Sequence, residues 1–327
     1  MRRWLALPHD TPIGYFYASI TSGGLGILSI RTTIPGRQHR RFTSPTSSSH
    51  TSVIAAVGCR MFKDALAKAD KAWLFVGVSV KTKKQIIRFR EWTLHSSVDG
   101  APLSSESKVP YAHQWRVEGT SVLPGCAFID LVKLGINAMP TKSRVKRGQK
   151  ESNNTVCRAD CGTEETLGHV SQRCHHTHFT RIERYNNLVH YVARRLRSKN
   201  IGWEVVVEPW IFTADGTRIP HIILKRGETV VILDAQVAGT RVRLHDAHLA
   251  NYAKYDTENM RSSLARVSFN TPPFTSLTQP YRGLWAEGCA RVLDDLGMGR
   301  QDIKLLALNC IQGSLECFRV QQLMTTV

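Results

Sequence analysis

Three cysteines and a histidine fall within eighteen residues: Cys157, Cys161, His169 and Cys174. Thiolate sulfur and imidazole nitrogen are the donors of a tetrahedral Zn²⁺ site, at about 2.0–2.3 Å. The Cys157-Arg158-Ala159-Asp160-Cys161 spacing suits a knuckle that grips an ion from a turn, with Gly162 folding the chain back. His169 and Cys174 then close the site from a short helix or second turn. Four protein ligands leave no open position, so the expected ion is structural. His175, His176 and His178 could each take the place of His169, so the cysteines are the firmer three ligands.

A second constellation lies further on. Asp234 ends the apolar run Val230-Val231-Ile232-Leu233, where an acid is costly to bury unless it binds a metal or hydrogen-bond donors. Lys254 follows twenty residues later, on an expected helix. A metal-dependent nuclease places carboxylates at adjacent strand ends to hold Mg²⁺, with a lysine beside the attacking water. The neighbouring strand should offer the first acid after Pro220, and it offers His221. Imidazole binds Mn²⁺ or Zn²⁺ but is a poor ligand for Mg²⁺, which prefers oxygen.

These groups need elements to hold them. Apolar spacing predicts helices over residues 53–72, 81–90, 128–137, 179–199, 246–267, 285–296 and 304–327. Residues 204–212, 219–224 and 229–237 read as strands, the last two joined by a turn at Arg226-Gly227-Glu228, and Trp115 with Val117 suggests another. Residues 36–52, rich in Ser, Thr and basic residues, read as a mobile connector. Gly23–Gly26 lacks the Lys-Ser/Thr of a phosphate loop. The expected fold is α+β: a mainly helical, basic region over 1–150, a knuckle with a basic helix over 151–200, and an α/β domain over 201–327.

Charge separates these regions. The net charge is +18. Residues 1–200 hold 31 Lys and Arg against 13 Asp and Glu, whereas residues 201–327 hold 13 of each. The whole surplus precedes or surrounds the knuckle, which points to a polyanion, since each neutralised phosphate releases condensed counterions. Candidate phosphate contacts are Lys142, Arg144, Lys146 and Arg147 before the knuckle, and Arg181 and Arg184 on the helix after it. No stretch of about 18 apolar residues exists, so no membrane partner is expected. The N-terminal apolar run breaks too early for a secretory signal. Eight cysteines, three of them clustered with a histidine, suggest a reducing compartment.

Several stretches together carry a resemblance. Trp4-Leu5-Ala6-Leu7-Pro8-His9-Asp10-Thr11-Pro12, Gly23-Gly24-Leu25-Gly26-Ile27, Asn137-Ala138-Met139-Pro140-Thr141, the Cys-Cys-His-Cys knuckle and the Pro220…Asp234…Lys254 series run nearly end to end. The chain resembles the C-terminal part of the polyprotein of site-specific non-LTR retrotransposons, which insert in ribosomal RNA genes and carry a restriction-like endonuclease. That family's endonuclease has Pro-Asp, a second acid about thirteen residues on, and a lysine moved to the next helix. Here His221 replaces the first acid, and Gln236 stands where ordinary restriction enzymes put lysine.

The resemblance implies a first third from the reverse-transcriptase thumb and linker. No Tyr/Phe-x-Asp-Asp polymerase signature is present. It also implies a nuclear protein whose knuckle places double-stranded target DNA and whose last domain nicks it, with Mg²⁺ or Mn²⁺ at Asp234 and the element's RNA as a second partner. The contrasting expectation is a non-catalytic, zinc-dependent nucleic-acid-binding protein.

Overall fold

The computed structural model describes residues 2–72, 74–75, 78–79, 82–149, 154–199, 202–239, 242–265, 274–286 and 288–324. Lys81, Lys150 and the Pro272-Pro273 break lie outside them. The chain forms two compact units, Pro12–Ala101 and a second built from Met1–Thr11 with Pro102–Val327. Composition alone divides the chain otherwise; the knuckle packs in the same unit as the strands after residue 201.

The unit Pro12–Ala101 is helical, with helices Ile13–Tyr17, Ile30–Thr43, Thr51–Gly58, Arg60–Ala72 and Lys83–His95. The expected connector is therefore largely helix, continuing through Pro35. The helix expected over 53–72 breaks at extended Cys59, which leaves Ile54 and Met61 of its apolar stripe exposed. Thr82 and Gln85 form a reciprocal capping box that fixes the start of the helix expected from Lys81. Gly23–Gly26 is a turn folded back on the first helix, with the Gly26 amide on Ala18 O and the Ile27 amide on Phe16 O.

In the larger unit the first long helix is α1 (Gly125–Gly135), followed by α2 (Leu167–Gln172) and α3 (His178–Ser198). Trp115 and Val117 lie in a single helical turn, Trp115–Glu118, rather than a strand; Trp115 packs edge-on against Phe128 of α1. Strands β1 (Glu204–Val207), β2 (Ile211–Thr213), β3 (Gly216–Arg218), β4 (Ile222–Arg226) and β5 (Thr229–Ala238) come next. One strand had been expected over 204–212. It is divided at Glu208, whose φ of 50° and following proline turn the chain out of line. Helices α4 (Leu244–Tyr255) and α5 (Glu258–Ala265) lead to β6 (Phe274–Pro280), and α6 (Cys289–Asp295) and α7 (Arg300–Met324) complete the unit.

The main sheet has the order β1-β4-β5-β6, antiparallel except for the parallel β5–β6 pair. A parallel neighbour needs a crossover, which α4 and α5 provide. β4 and β5 are buried on both faces, so they read as near-continuous apolar runs instead of alternating ones. Ile222, Leu224 and Leu233 face the core built on α3, α6 and α7; Ile223 and Ile232 face Tyr255, Met260 and Leu264 of α4 and α5. The fold is α+β.

α3 lies along α7, where Gly313 lets Arg184 pass. A Cβ at Gly313 would fall 2.5 Å from Arg184 Cγ. Arg184 cannot give way easily, because its guanidinium donates to Ser314 Oγ at 2.8 Å and Ser171 O at 3.0 Å. Gly313→Ala should therefore lower the thermal midpoint. Overpacking costs roughly 1–3 kcal/mol, which outweighs the roughly 1 kcal/mol that alanine gains in a helix. A midpoint equal to or above that of the parent would contradict this.

Candidate metal centre and carboxylate site

The knuckle is shaped by local backbone. The Cys157 amide bonds Thr163 O, the Asp160 amide bonds Cys157 O, and Val156 pairs with Glu164. Asp160 and Gly162 both take positive φ, so the chain reverses within the knuckle. Thr166 caps α2 by accepting from the His169 amide, which places His169 in the first turn. Cys174 follows directly after that helix.

The ligand atoms of Cys157, Cys161, His169 and Cys174 all lie within 4.8 Å of one another. Cys157 Sγ and Cys161 Sγ stand 3.9 and 3.7 Å from Cys174 Sγ. A tetrahedron with zinc–sulfur bonds of about 2.3 Å has edges of about 3.8 Å, so the sulfurs match it. His169 Nδ1 is held by Thr163 Oγ1 at 3.0 Å, while Nε2 is buried with no partner. An outer hydrogen bond on one ring nitrogen and a bare, inward-facing second nitrogen is how a metal-bound imidazole is set. Among the described residues this is the only such group, and it can hold a metal ion. His175 instead places Nδ1 3.2 Å from Cys161 Sγ, outside the group. With no cation beside it, burial pushes the Cys174 thiol up to about 12. A bound dication reverses that preference by stabilising thiolate.

Behind the knuckle, Glu165 is fully buried and saturated. It accepts from Arg158 side-chain and amide nitrogens at 2.6–3.0 Å, from the Lys142 amide at 2.9 Å and from Gln321 Nε2 at 3.0 Å. Burial opposes its charge, but the Arg158 pair and the amides win and bring it down to about 2.

The basic residues beside the knuckle divide. Arg184 is buried, and Arg181 donates to Gln172 O and Cys174 O, so both hold backbone of the metal site. Arg144 is buried too, bidentate to Asp10 at 2.5 and 2.6 Å, and its hydrogen bonds hold Asp10 below the usual carboxylate range. These three face protein, because each lies on the inner side of its helical turn, where a count of charges cannot see. Lys142 and Lys146 stay near the surface, with their ammonium groups on Val156 O and Asn154 O. Arg147 is exposed, 3.5 Å from Asp10. Arg173 and Arg194 are also exposed.

The second constellation does assemble. The β4–β5 register pairs Ile222 with Leu233, which sets His221 opposite Asp234. His221 Nδ1 touches Asp234 Oδ1, and the Ala235 amide donates to the same nitrogen at 2.9 Å. One ring nitrogen can accept from Ala235 or donate to Asp234, not both. In neither state does β4 supply an oxygen ligand. Asp234 is buried, and while His221 Nδ1 accepts from Ala235, Asp234 Oδ1 has no hydrogen-bond donor. The Tyr185 ring packs edge-on against His221 at 4.5 Å.

From α4, Lys254 Nζ donates to the Tyr255 hydroxyl at 3.0 Å, and that hydroxyl faces both Asp234 and Ile219 O. Burial, then the Asp234 charge, raises the Tyr255 phenol. Lys254 itself is exposed. Asp234, Lys254 and His221 thus converge through Tyr255, a residue its place beside Lys254 did not mark out. Asp215 is engaged on the β2–β3 hairpin by Arg218 at 2.7 Å and Thr213 at 2.6 Å. Glu204 pairs in register with Lys225, three residues along β4 from Ile222. Neither acid supplies the place His221 occupies.

No protein-family profile matches the chain. Among curated proteins it is 32% identical over 319 residues to the retrovirus-related Pol polyprotein from type-1 retrotransposable element R2 of Nasonia vitripennis, covering 96% of this chain and 30% of that protein. It is 30% identical over 327 residues to the Pol polyprotein of type-2 element R2DM of Drosophila melanogaster, covering 98% and 30%. A Pol polyprotein from a type-1 R2 element of Bradysia coprophila matches at 25% identity, covering 96% and 36%. The homologues are R2 retrotransposon Pol polyproteins. This R2-related chain therefore spans about 30% of the length of the first two relatives. The match extends nearly end to end, so both the knuckle and the sheet site lie within the shared sequence.

Proposed function

We propose that this chain is the part of a retroelement polyprotein that holds double-stranded DNA and descends from its nicking endonuclease, with cleavage weakened by His221. The convergence of Asp234, His221 and Lys254 on one end of the sheet carries this reading, since three residues scattered over 34 positions have no structural need to meet. A Mg²⁺ or Mn²⁺ ion bound there would polarise a phosphodiester and lower the pKa of an attacking water. Asp234 would hold it, and Lys254, kept near by Tyr255, would lie against the phosphate. His221 subtracts from this arrangement: its contact with Asp234 occupies the carboxylate and brings no negative charge.

The knuckle carries a structural zinc in this reading. Lys142, Lys146, Arg147, Arg173 and Arg194 supply phosphate contacts, and the element's own RNA is a second polyanion for the same surface. Chromosomal DNA as target makes the protein nuclear. The His221–Asp234 contact favours one other reading, a zinc-dependent nucleic-acid-binding protein without catalysis.

Nicking of supercoiled plasmid separates them. The unmodified chain should cut weakly in Mg²⁺ and better in Mn²⁺, and His221→Asp should gain about tenfold or more in Mg²⁺, because it supplies the second carboxylate oxygen that this ion prefers. Adding Asp234→Asn to that variant should abolish the gain. Robust Mg²⁺-dependent cutting by the unmodified chain removes the proposed defect. A His221→Asp variant that binds duplex in a salt-sensitive way but never cuts leaves the non-catalytic reading standing.

A further inference from the structure

We propose that the β2–β3 hairpin is a stacking platform for unpaired DNA bases at the edge of the His221–Asp234 site. Along β2, Ile211 turns inward to the α4–α5 core, while Trp210 and Phe212 point out, 68% and 73% exposed. Thr217 stands opposite Phe212, and Ile219, two residues further along the same face, is 41% exposed. Two large rings displayed at i and i+2 gain nothing for the fold by standing in water.

Their position is fixed to the site. The Glu208 amide donates to His221 O at 2.9 Å, closing the base of the hairpin two residues before Trp210. Two residues span at most about 7 Å, the length of about two base steps along a strand. On the other side, Ile219 O meets the Tyr255 hydroxyl. A strand whose phosphate lay at Asp234 would bring its neighbouring bases over this hairpin.

The chemistry favours bases over backbone. The hairpin's charges are internally satisfied, Asp215 by Arg218 and Thr213. Residues 201–327 are balanced in charge. A neutral surface with two aromatic faces offers phosphate little and offers any unstacked base a π partner. This inference rests on the endonuclease-lineage reading, and it gives strand opening next to the cut a physical basis.

Fluorescence anisotropy with three probes tests it: a fully paired DNA duplex, a DNA fork with unpaired arms, and an RNA single strand of the fork's sequence. Trp210→Ala with Phe212→Ala should weaken fork binding about thirtyfold or more, from the worth of two base–aromatic stacks. Paired-duplex affinity should move less than about twofold, and the salt slope of both should be unchanged. Trp210→Phe should recover most of the loss. In the unmodified chain, the fork should quench tryptophan emission more than the paired duplex does, and Trp210→Phe should remove that difference.

An unchanged fork-to-duplex ratio in the double variant overturns the proposal, as does a fork-specific quenching that Trp210→Phe leaves unchanged. A larger loss for RNA than for the fork overturns the assignment to DNA. Duplex binding and its salt dependence report separately on the parent reading, so the two can fail independently. Matching thermal midpoints exclude misfolding, since both rings lie outside the core.

Discussion

A strong chelator applied to the purified chain at neutral pH should remove one ion per chain, unfold the knuckle and sharply lower the melting midpoint of the larger unit. Cys174→Ser does the same without chelator. The expected magnitude is large, because structural zinc contributes on the order of 10 kcal/mol, comparable to the whole stability of a domain. The knuckle has little apolar core of its own: its buried apolar cluster consists of Cys157, Ala159 and Cys174. The consequence spreads, since Gln172 O and Cys174 O are held by Arg181 and Ser171 O by Arg184. Loss of the ion therefore loosens the contacts that seat α3. Metal analysis with a melting curve is the check. A chain that carries no stoichiometric metal, or melts unchanged in chelator, contradicts the assigned centre.

The second large effect is acid sensitivity centred on Glu165. Its folded pKa is depressed to about 2 from an ordinary 4.5, so the folded state binds fewer protons than the unfolded one. Its contribution is complete above about pH 4.5 and is lost as pH falls through 2. The shift corresponds to about 3 kcal/mol. Asp302, buried beside Arg195 and Lys199, is likewise at about 2, from an ordinary 3.8, and adds about 2 kcal/mol over the same window.

Arg158→Ala removes the main partner and leaves a buried carboxylate, which costs roughly 3–5 kcal/mol at neutral pH. The variant should lose less than the parent on acidification, because protonation now relieves the unpaired charge. Urea midpoints at pH 7 and pH 3 measure both effects. Equal acid losses in parent and Arg158→Ala would sink this account.

Much of this was legible in the chain because the signals were local. The four candidate metal ligands announce themselves by type and spacing. β5 reads directly from Thr229 to Ala238, since a strand buried on both faces needs an unbroken apolar run. The α3 helix declares itself by its stripe of Leu188, Val189, Val192 and Leu196. What escaped was decided at a distance. β6 was not foreseen, because Phe274-Thr275-Ser276-Leu277-Thr278 is a polar-looking segment made a strand by parallel pairing with β5. Trp115 suggests a strand by composition, yet its packing on Phe128 makes it a helical turn.

The same holds for the arginines. Arg144, Arg181 and Arg184 look like a nucleic-acid surface in sequence and are fasteners in the fold. Only the partner across the fold, Asp10 or Ser314 or a knuckle carbonyl, tells the two roles apart. Tyr255 and the outward ring of Phe212 carry no spacing signature either. They gain meaning from which strand end they adjoin.

The Asp10–Arg144 clamp has a practical corollary. The larger unit recruits the first eleven residues across an intervening unit of ninety, so shortening the gene to begin at Pro102 would take the Asp10 carboxylate away from the buried Arg144. A usable minimal piece keeps the opening segment, joined to Pro102 by a linker in place of the excised helices.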